Sequence, residues 1–427
     1  MQATTSLPST GITEGRRWTI LSLLCVGMMV AYFDRVNLSV ALADAEGFVQ
    51  HFGLTNQQRG LLSSAFFWSY FVLQIPAGWL VDRYGVKWTY AAGFLLWSIT
   101  SAATAIVGGF GQLLMLRILL GLGECVITPG GMRWIRFNFD EKRRGTAVGI
   151  LMAAAKIGPA LGAWLATKLL GALGWQMMFI IIGLGSLIWL IPWVLFMNNN
   201  DLAQEAEQKK ASGAADIAFS QVMKSPVIWG TIVGTFCYQY FVYFALTWMP
   251  AYFKENFGMS LNDSGVFTSA SFLAMAVVAT LAGYAADQMI ARGAEPVFTR
   301  RAFTVAGLST AAIGLVAALN APSEYAMWLV IAALGGLGLT TANYWALTQT
   351  LMPGAAVGRI VGVQNAAANL PGVVAPILTA WLVDRTGGYS GAIGAVIVFL
   401  IIGVTMYLTV IRREFAPKAQ PAAQSTQ

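Results

Sequence analysis

The sequence predicts an all-α membrane protein of twelve transmembrane helices in two six-helix bundles, with both termini cytoplasmic. Three observations predict it. The 427 residues are 57% hydrophobic and only 11% charged, whereas a soluble domain averages about 25% charged. Apolar runs of about 20 residues, the length that crosses the hydrocarbon core, recur along the whole chain. One polar stretch at 198–225, "NNNDLAQEAEQKKASGAADIAFSQVMKS", separates the first six runs from the last six.

The expected spans are 18–42, 60–81, 88–108, 111–135, 144–170, 176–197, 226–252, 264–286, 301–320, 326–351, 358–383 and 391–411. Backbone groups must close their hydrogen bonds internally in lipid, so each span is expected to be a helix. The domains follow: an N-terminal tail 1–17, a bundle 18–197, a linker 198–225, a bundle 226–411 and a C-terminal tail 412–427. With both termini inside, nineteen of the 26 Lys and Arg fall in inner segments and four in outer ones. That is a strong positive-inside asymmetry. The remaining three, Arg35, Arg117 and Lys156, lie well inside spans. A weak repeat relates the halves. "GWLVDRYG" begins at Gly78 after the second span and "GYAADQMI" at Gly283 after the eighth. Parallel repeats are one architecture of secondary transporters.

Several classes are excluded. The net charge of +7 sits in short loops between spans, without a groove-reading or base-stacking motif, so no nucleic-acid partner is expected. Cys25, Cys125 and Cys237 all fall in spans, with no disulfide or metal spacing. The one histidine, His51, falls in an expected outer loop. No metal or cofactor is expected. The first apolar run is too long for a signal peptide and lacks a small-residue cleavage site. No phosphate-binding Gly-x-x-x-x-Gly-Lys-Ser/Thr loop is present, and no nucleophile–base pair marks an enzyme.

The intramembrane charges carry the functional reading, because each costs at least about 2.5–3.5 kcal/mol at mid-bilayer. Asp34 and Arg35 are neighbours on the first span, so they point about 100° apart. Tyr32, Arg35 and Ser39 share one face. Arg35 can hold a carboxylate or sulfonate bidentately, and Asp34 can carry a proton. A structural ion pair with other helices is the alternative. Arg117 and Glu124 lie about two turns apart on the fourth span, roughly 10 Å along its axis. Gly121 between them leaves room for a close approach. Either Glu124 exchanges a proton that Arg117 couples to the anion site, or Arg117 merely neutralises Asp34 or Glu124. Lys156, in "LMAAAKIGPALG", lies about a dozen residues into the fifth span, too deep to snorkel readily. In the second half, Asn365 and Asn369 share a face with i, i+4 spacing.

"GWLVDRYGVKW", from Gly78 to Trp88, resembles the loop between the second and third helices of the major facilitator superfamily. Gly78, Asp82, Arg83, Gly85 and Lys87 match its pattern and Val86 departs from it. That loop is expected to be an inner conformational latch, with Asp82 paired to Arg136 or capping a neighbouring helix. Within the superfamily, "YFDRVNLSVA", "SSAFFWSYFVLQIPAGW" and "LRILLGLGECVITPG" resemble the anion:cation symporter group. That group includes proton-coupled carriers of hexonates, hexarates, hexuronates and other organic acids. The resemblance implies the major facilitator fold and the inner membrane. It assigns proton coupling to Asp34, Glu124 and Arg117 and matches Tyr32, Arg35, Tyr70, Trp345 and Asn365 to cavity residues. Lys156 stands where similar sugar-acid carriers commonly have Gln, and Ala342 where one has a hydroxyl side chain.

Three cations at one cavity would repel each other at low dielectric. Asp34 and Glu124 offset two when ionised, and a dianionic solute completes the balance. The expected function is therefore import of a small organic anion by proton symport through alternating access. A sulfocarboxylate such as sulfoacetate or a dicarboxylate is favoured, and a sugar acid such as a hexonate or hexarate comes next. An anion exchanger without proton coupling is the alternative. The expected partners are the anion, protons and the bilayer, with the chain a monomer.

Overall fold

The computed structural model describes residues 13–139, 141–197, 223–351 and 357–412, and every regular element among them is helical. The helix α1 spans Glu14–Ala43, with the Thr13 side chain accepting from the Arg16 amide and Glu14 in the first turn. Both features favour a helix start. A π-helical turn at Ala45–Val49 is capped by the Asp44 carboxylate, and it leads to α2 at Asn56–Tyr84. That helix opens with a capping box: Thr55 Oγ1 accepts from the Gln58 amide at 3.2 Å and Gln58 Oε1 from the Thr55 amide at 2.9 Å. Next come α3 at Val86–Ala103, α4 at Phe110–Glu124, α5 at Ile127–Asn138, α6 at Glu141–Ser186 and α7 at Leu190–Phe196. Beyond the linker lie α8 at Pro226–Phe257, α9 at Leu261–Ala291, α10 at Pro296–Asn320, α11 at Ser323–Leu351, α12 at Val357–Thr386 and α13 at Ser390–Thr409.

Ten helical segments among the described residues are long and apolar enough to cross a membrane. One of them, Ala147–Phe196, is 50 residues long. It contains Gly174 at φ 81°, ψ 168°, a conformation open to glycine at little steric cost. The helical path is therefore broken between the two expected spans 144–170 and 176–197. Gly85, with the same φ and ψ, separates α2 from α3. The 29-residue α2 is long enough to cross but, with Gln57, Gln58, Gln74, Asp82 and Arg83, it falls outside those ten.

The expected span 111–135 lies within one candidate membrane-crossing segment, Phe110–Asn138, in which two helices meet after Glu124. A turn at Cys125–Val126 interrupts it, four residues before Pro129. Proline has no N–H to return to the carbonyl one turn earlier. This break puts the carboxylate of Glu124 at a helix end.

Contacts divide the chain into two compact units. The first takes the described parts of Met1–Gly213 together with Ala245–Phe272 and Pro376–Trp381, and the second takes the remainder. In the first, α1 packs on α6, and α4 packs on both α2 and α3. In the second, α10 packs on α11 and α13. The bundle core uses large aromatics: Trp97, Trp134 and Trp193 are fully buried, and the indole of Trp193 donates to the Lys87 carbonyl at 2.9 Å.

Gly121 is where α2 and α4 approach most tightly around the charges. A Cβ there would collide with the Phe66 carbonyl oxygen and Ser69 Oγ. Overpacking of this kind costs about 1–3 kcal/mol. Gly121→Val is expected to lower the melting temperature in detergent by several degrees. Gly111→Val, at a position with open space around its Cβ, should leave it almost unchanged. Equal melting of the two variants would rule out the close contact.

Candidate functional site

Four charged residues come together inside the first unit. From α1, Arg35 Nε donates to Glu124 Oε2 at 2.8 Å, with the two side chains 5% and 0% exposed. The rings of Tyr32, Phe66 and Tyr70 surround the same guanidinium, with centroids 4.6, 4.8 and 4.7 Å from its Cζ. Such stacking favours Arg over Lys. Arg117 reaches α1 by a different route. Its Nη1 donates to the backbone carbonyl of Asp34 at 3.3 Å, and its Cζ lies 5.8 Å from the Phe66 ring. The ionic partner of Glu124 is therefore Arg35, and Arg117 braces the α1 backbone.

Asp34 is fully buried. Its Oδ1 accepts from Asn37 Nδ2 at 3.2 Å and from Ser101 Oγ on α3. Its Oδ2 and Oε1 of Glu124 are buried without a hydrogen-bond partner. Each acid thus has one oxygen held and one bare, and a bare buried carboxyl oxygen is costly unless it carries a proton or gains a donor. Asn37, one turn from Asp34, could have been found from helical spacing. Ser101 carried no such signal, because 67 residues separate it from Asp34.

Beside the two arginines is a small cavity lined by Arg35 and Arg117, with Ser39, Ser63, Phe66 and Thr247 among its other walls. It has room for about one water molecule, so an organic anion requires it to widen. Ser63 and Thr247 were missed by sequence reasoning. Each is one unremarkable hydroxyl in a long apolar run.

Apart from Tyr70, which is already against Arg35, the other expected site residues fall elsewhere. Tyr70 stacks on Phe66 and shares a 3.4 Å hydrogen bond with Thr128. Lys156 is half-buried on α6 and is not among the cavity walls. Gly158, two residues on, abuts α1, where a Cβ would stand 2.8 Å from that of Tyr32. Trp345 and Asn365 belong to the second unit. There Trp345 packs against Tyr344 at 5.3 Å. The Asn365 carbonyl accepts from Asn369 Nδ2 at 2.8 Å, and Asn369 Oδ1 accepts from the Tyr243 hydroxyl at 3.1 Å. At the α2–α3 junction, Arg83 stacks on Trp79 and Tyr84, and the Lys87 ammonium on Trp88. Gly78 has open space around its Cβ position. The side chain of Asp82, and with it the expected Arg136 pairing, lies outside the described residues. So does most of the expected linker, 198–222.

A sequence profile described as the Major Facilitator Superfamily matches residues 24–298 and 252–426. The chain belongs to this superfamily. Among relatives of this major facilitator, the hexuronate transporter of Bacillus subtilis is 30% identical over 400 residues, covering 91% of this chain and 94% of that protein. A probable sulfoacetate transporter of Cupriavidus necator is 29% identical, with coverage of 88% and 89%. The D-galactonate transporter of Escherichia coli is 27% identical, with coverage of 93% and 96%. Two solved structures share the fold. A bacterial homologue of the human lysosomal transporter Spinster, inward-facing and occupied, gives a TM-score of 0.77 at 18% identity, covering 96% of this chain and 100% of its own. A D-xylose-proton symporter gives 0.72 at 18% identity, with coverage of 94% and 98%. This major facilitator is a transporter and not an enzyme, and it is an integral protein of the inner membrane.

Proposed function

We propose that this chain imports a small organic anion by proton symport, with alternating access between two six-helix bundles. The bundles are 18–197 and 226–411, joined by the linker 198–225. They supply twelve spans in a monomer with both termini cytoplasmic. The observation that carries the reading is the buried Arg35–Glu124 pair at 2.8 Å. An arginine held by an internal carboxylate can exchange it for a solute carboxylate once the internal one takes a proton. Breaking such a pair without replacing the lost partner costs about 3–5 kcal/mol. Proton uptake by Glu124 and anion binding to Arg35 therefore favour each other. The names of the relatives, which include hexuronate, galactonate and sulfoacetate transporters, support an organic anion as the solute.

A dianion, either a sulfocarboxylate such as sulfoacetate or a dicarboxylate, is the preferred solute, ahead of a sugar acid. Lys156 supports this preference as a third intramembrane cation, recruited when the cavity widens. Two protons per dianion cancel its charge, which otherwise works against the membrane potential at about 2.3 kcal/mol per charge per 100 mV. Uptake into proteoliposomes with and without an imposed pH gradient tests the symport reading. Uptake that ignores the gradient would leave an anion exchanger instead.

Lys156→Gln is expected to reduce the thermal stabilisation given by sulfoacetate or succinate by about half or more, and to spare that given by galactonate. Ligand stabilisation follows affinity through mass action. If dianion binding is unchanged in this variant and sugar acids win in both proteins, the charge-balance argument fails.

A further inference from the structure

Another buried arginine, besides Arg35 and Arg117, has no place in the mechanism above. Arg59 stands in the first turn of α2, 6% exposed. Its Nη1 donates to Asn56 Oδ1 at 2.9 Å, and its Nη2 donates to the Leu42 carbonyl at 2.9 Å and to Glu255 Oε1 at 2.7 Å. The Trp248 ring centroid lies 5.0 Å from its Cζ. All of these groups belong to the first unit. Three of the four contacts hold the guanidinium in place independently of Glu255. The fourth is a carboxylate whose side chain is 33% exposed, against 7% for Arg59. That is a preorganised anion donor occupied by one exchangeable, internal ligand.

The position of this donor gives it a use. The Arg59 carbonyl accepts from Ser63 Oγ at 3.0 Å, and Ser63 lines the Arg35–Arg117 cavity. Thr247, next to Trp248 in the chain, also lines it. The pair is therefore about one helical turn from the cavity, at the end of α2 that the charge asymmetry places outside. At Gly60, a Cβ would lie 2.7 Å from the Pro376 carbonyl oxygen and 2.8 Å from Ala380 Cβ, so the helices are packed tightly at this level. We propose that Arg59 is an outer entry site for the solute's carboxylate or sulfonate, and that Glu255 is the plug that the incoming anion displaces. This rests on the transport reading and adds to it a second, earlier anion site, with a carboxylate of the chain itself as the solute's rival.

The test compares the two faces of the membrane. Uptake of sulfoacetate, succinate and galactonate is measured in right-side-out and inside-out vesicles. Arg59→Gln should raise the outer-face KM about tenfold, the size expected when one hydrogen bond to a charged group is lost. It should leave the outer-face kcat and the inner-face KM nearly unchanged, with the inner-face kcat falling by the same factor, because the two directions of a carrier share one equilibrium constant. Glu255→Gln, which weakens the rival, should lower the outer-face KM. Equal changes in KM on both faces, or a fall in outer-face kcat with KM unchanged, would mean a purely structural clamp and overturn the proposal. Arg59→Lys keeps the charge, and it decides the matter if Arg59→Gln does not fold. A second arm needs no transport. Ser63→Cys, with the three native cysteines replaced by serine, is labelled by a membrane-impermeant maleimide. Glu255→Gln should speed labelling from outside, and an unchanged rate would overturn the plug. If no probe is carried by the unsubstituted protein, the transport reading fails and this arm alone judges the plug.

Discussion

Arg35→Lys is expected to leave the protein folded and to cut anion uptake by about two orders of magnitude. The arginine has two duties at once. It neutralises Glu124 through Nε, and it lies among the rings of Tyr32, Phe66 and Tyr70. A lysine keeps the charge and still offsets the acid. It has no planar fork for two oxygens of a solute, and it does not stack as a flat cation. The loss should therefore fall on transport and binding more than on stability. Arg35→Ala sets the opposite limit. It leaves Glu124 buried with its ionic partner gone, at a cost of about 3–5 kcal/mol, and should melt far below the parent. Two measurements separate the duties: melting temperature in detergent, and initial uptake rate in proteoliposomes at matched protein levels. Full transport by the lysine variant would show that Arg35 is only a counter-charge for Glu124. The anion site would then have to be built on Arg117.

The spans could be read from the sequence because lipid enforces a simple rule, and apolar runs located α1, α3 and α4, which hold the four charges and Ser101. The start of α2 had a signal that the expected span 60–81 did not use. Thr55 and Gln58 stand at capping-box spacing before an apolar run, which starts α2 at Asn56 and puts Arg59 on a helix. The expected start at residue 60 left Arg59 just outside the span, as one of the four outer Lys and Arg. The break after Glu124 had its signal in Pro129. Long-range partners had none. Nothing in the order of residues says that Ser101 meets Asp34, or that Glu124 selects Arg35 over Arg117. Those choices depend on how α1, α3 and α4 are turned about their axes. Close-packed glycines such as Gly121 bear on those rotations; the room at Gly121 was legible, but not that Phe66 and Ser69 of α2 would fill it. The same lack of signal covers Lys156. Its depth in a span was legible, but the face it presents was not.

Glu124→Gln should uncouple transport from protons and leave the fold intact. The amide has the shape of the acid and keeps an oxygen that can accept from Arg35 Nε, so packing at this fully buried position is preserved. What disappears is the charge. Arg35 then has no internal anion to compete with a solute, and anion binding should be as strong as in the parent or stronger, whatever the pH. Net uptake driven by a pH gradient should fall to background, because no group at position 124 can pick up a proton on one side and release it on the other. Counterflow, in which labelled anion enters vesicles preloaded with unlabelled anion, should persist, because it never needs the empty carrier to reset. Both follow from one site where a proton and an anion favour each other's binding, since linkage acts equally in both directions. The measurement pairs counterflow with fluorescence of a pH dye trapped inside the vesicles. Persistent counterflow with no acidification is the expected result. If the variant acidifies vesicles normally during uptake, the proton travels elsewhere. Asp34, with its bare Oδ2, would then have to carry it alone, and the Arg35–Glu124 pair would be a structural tie between α1 and α4.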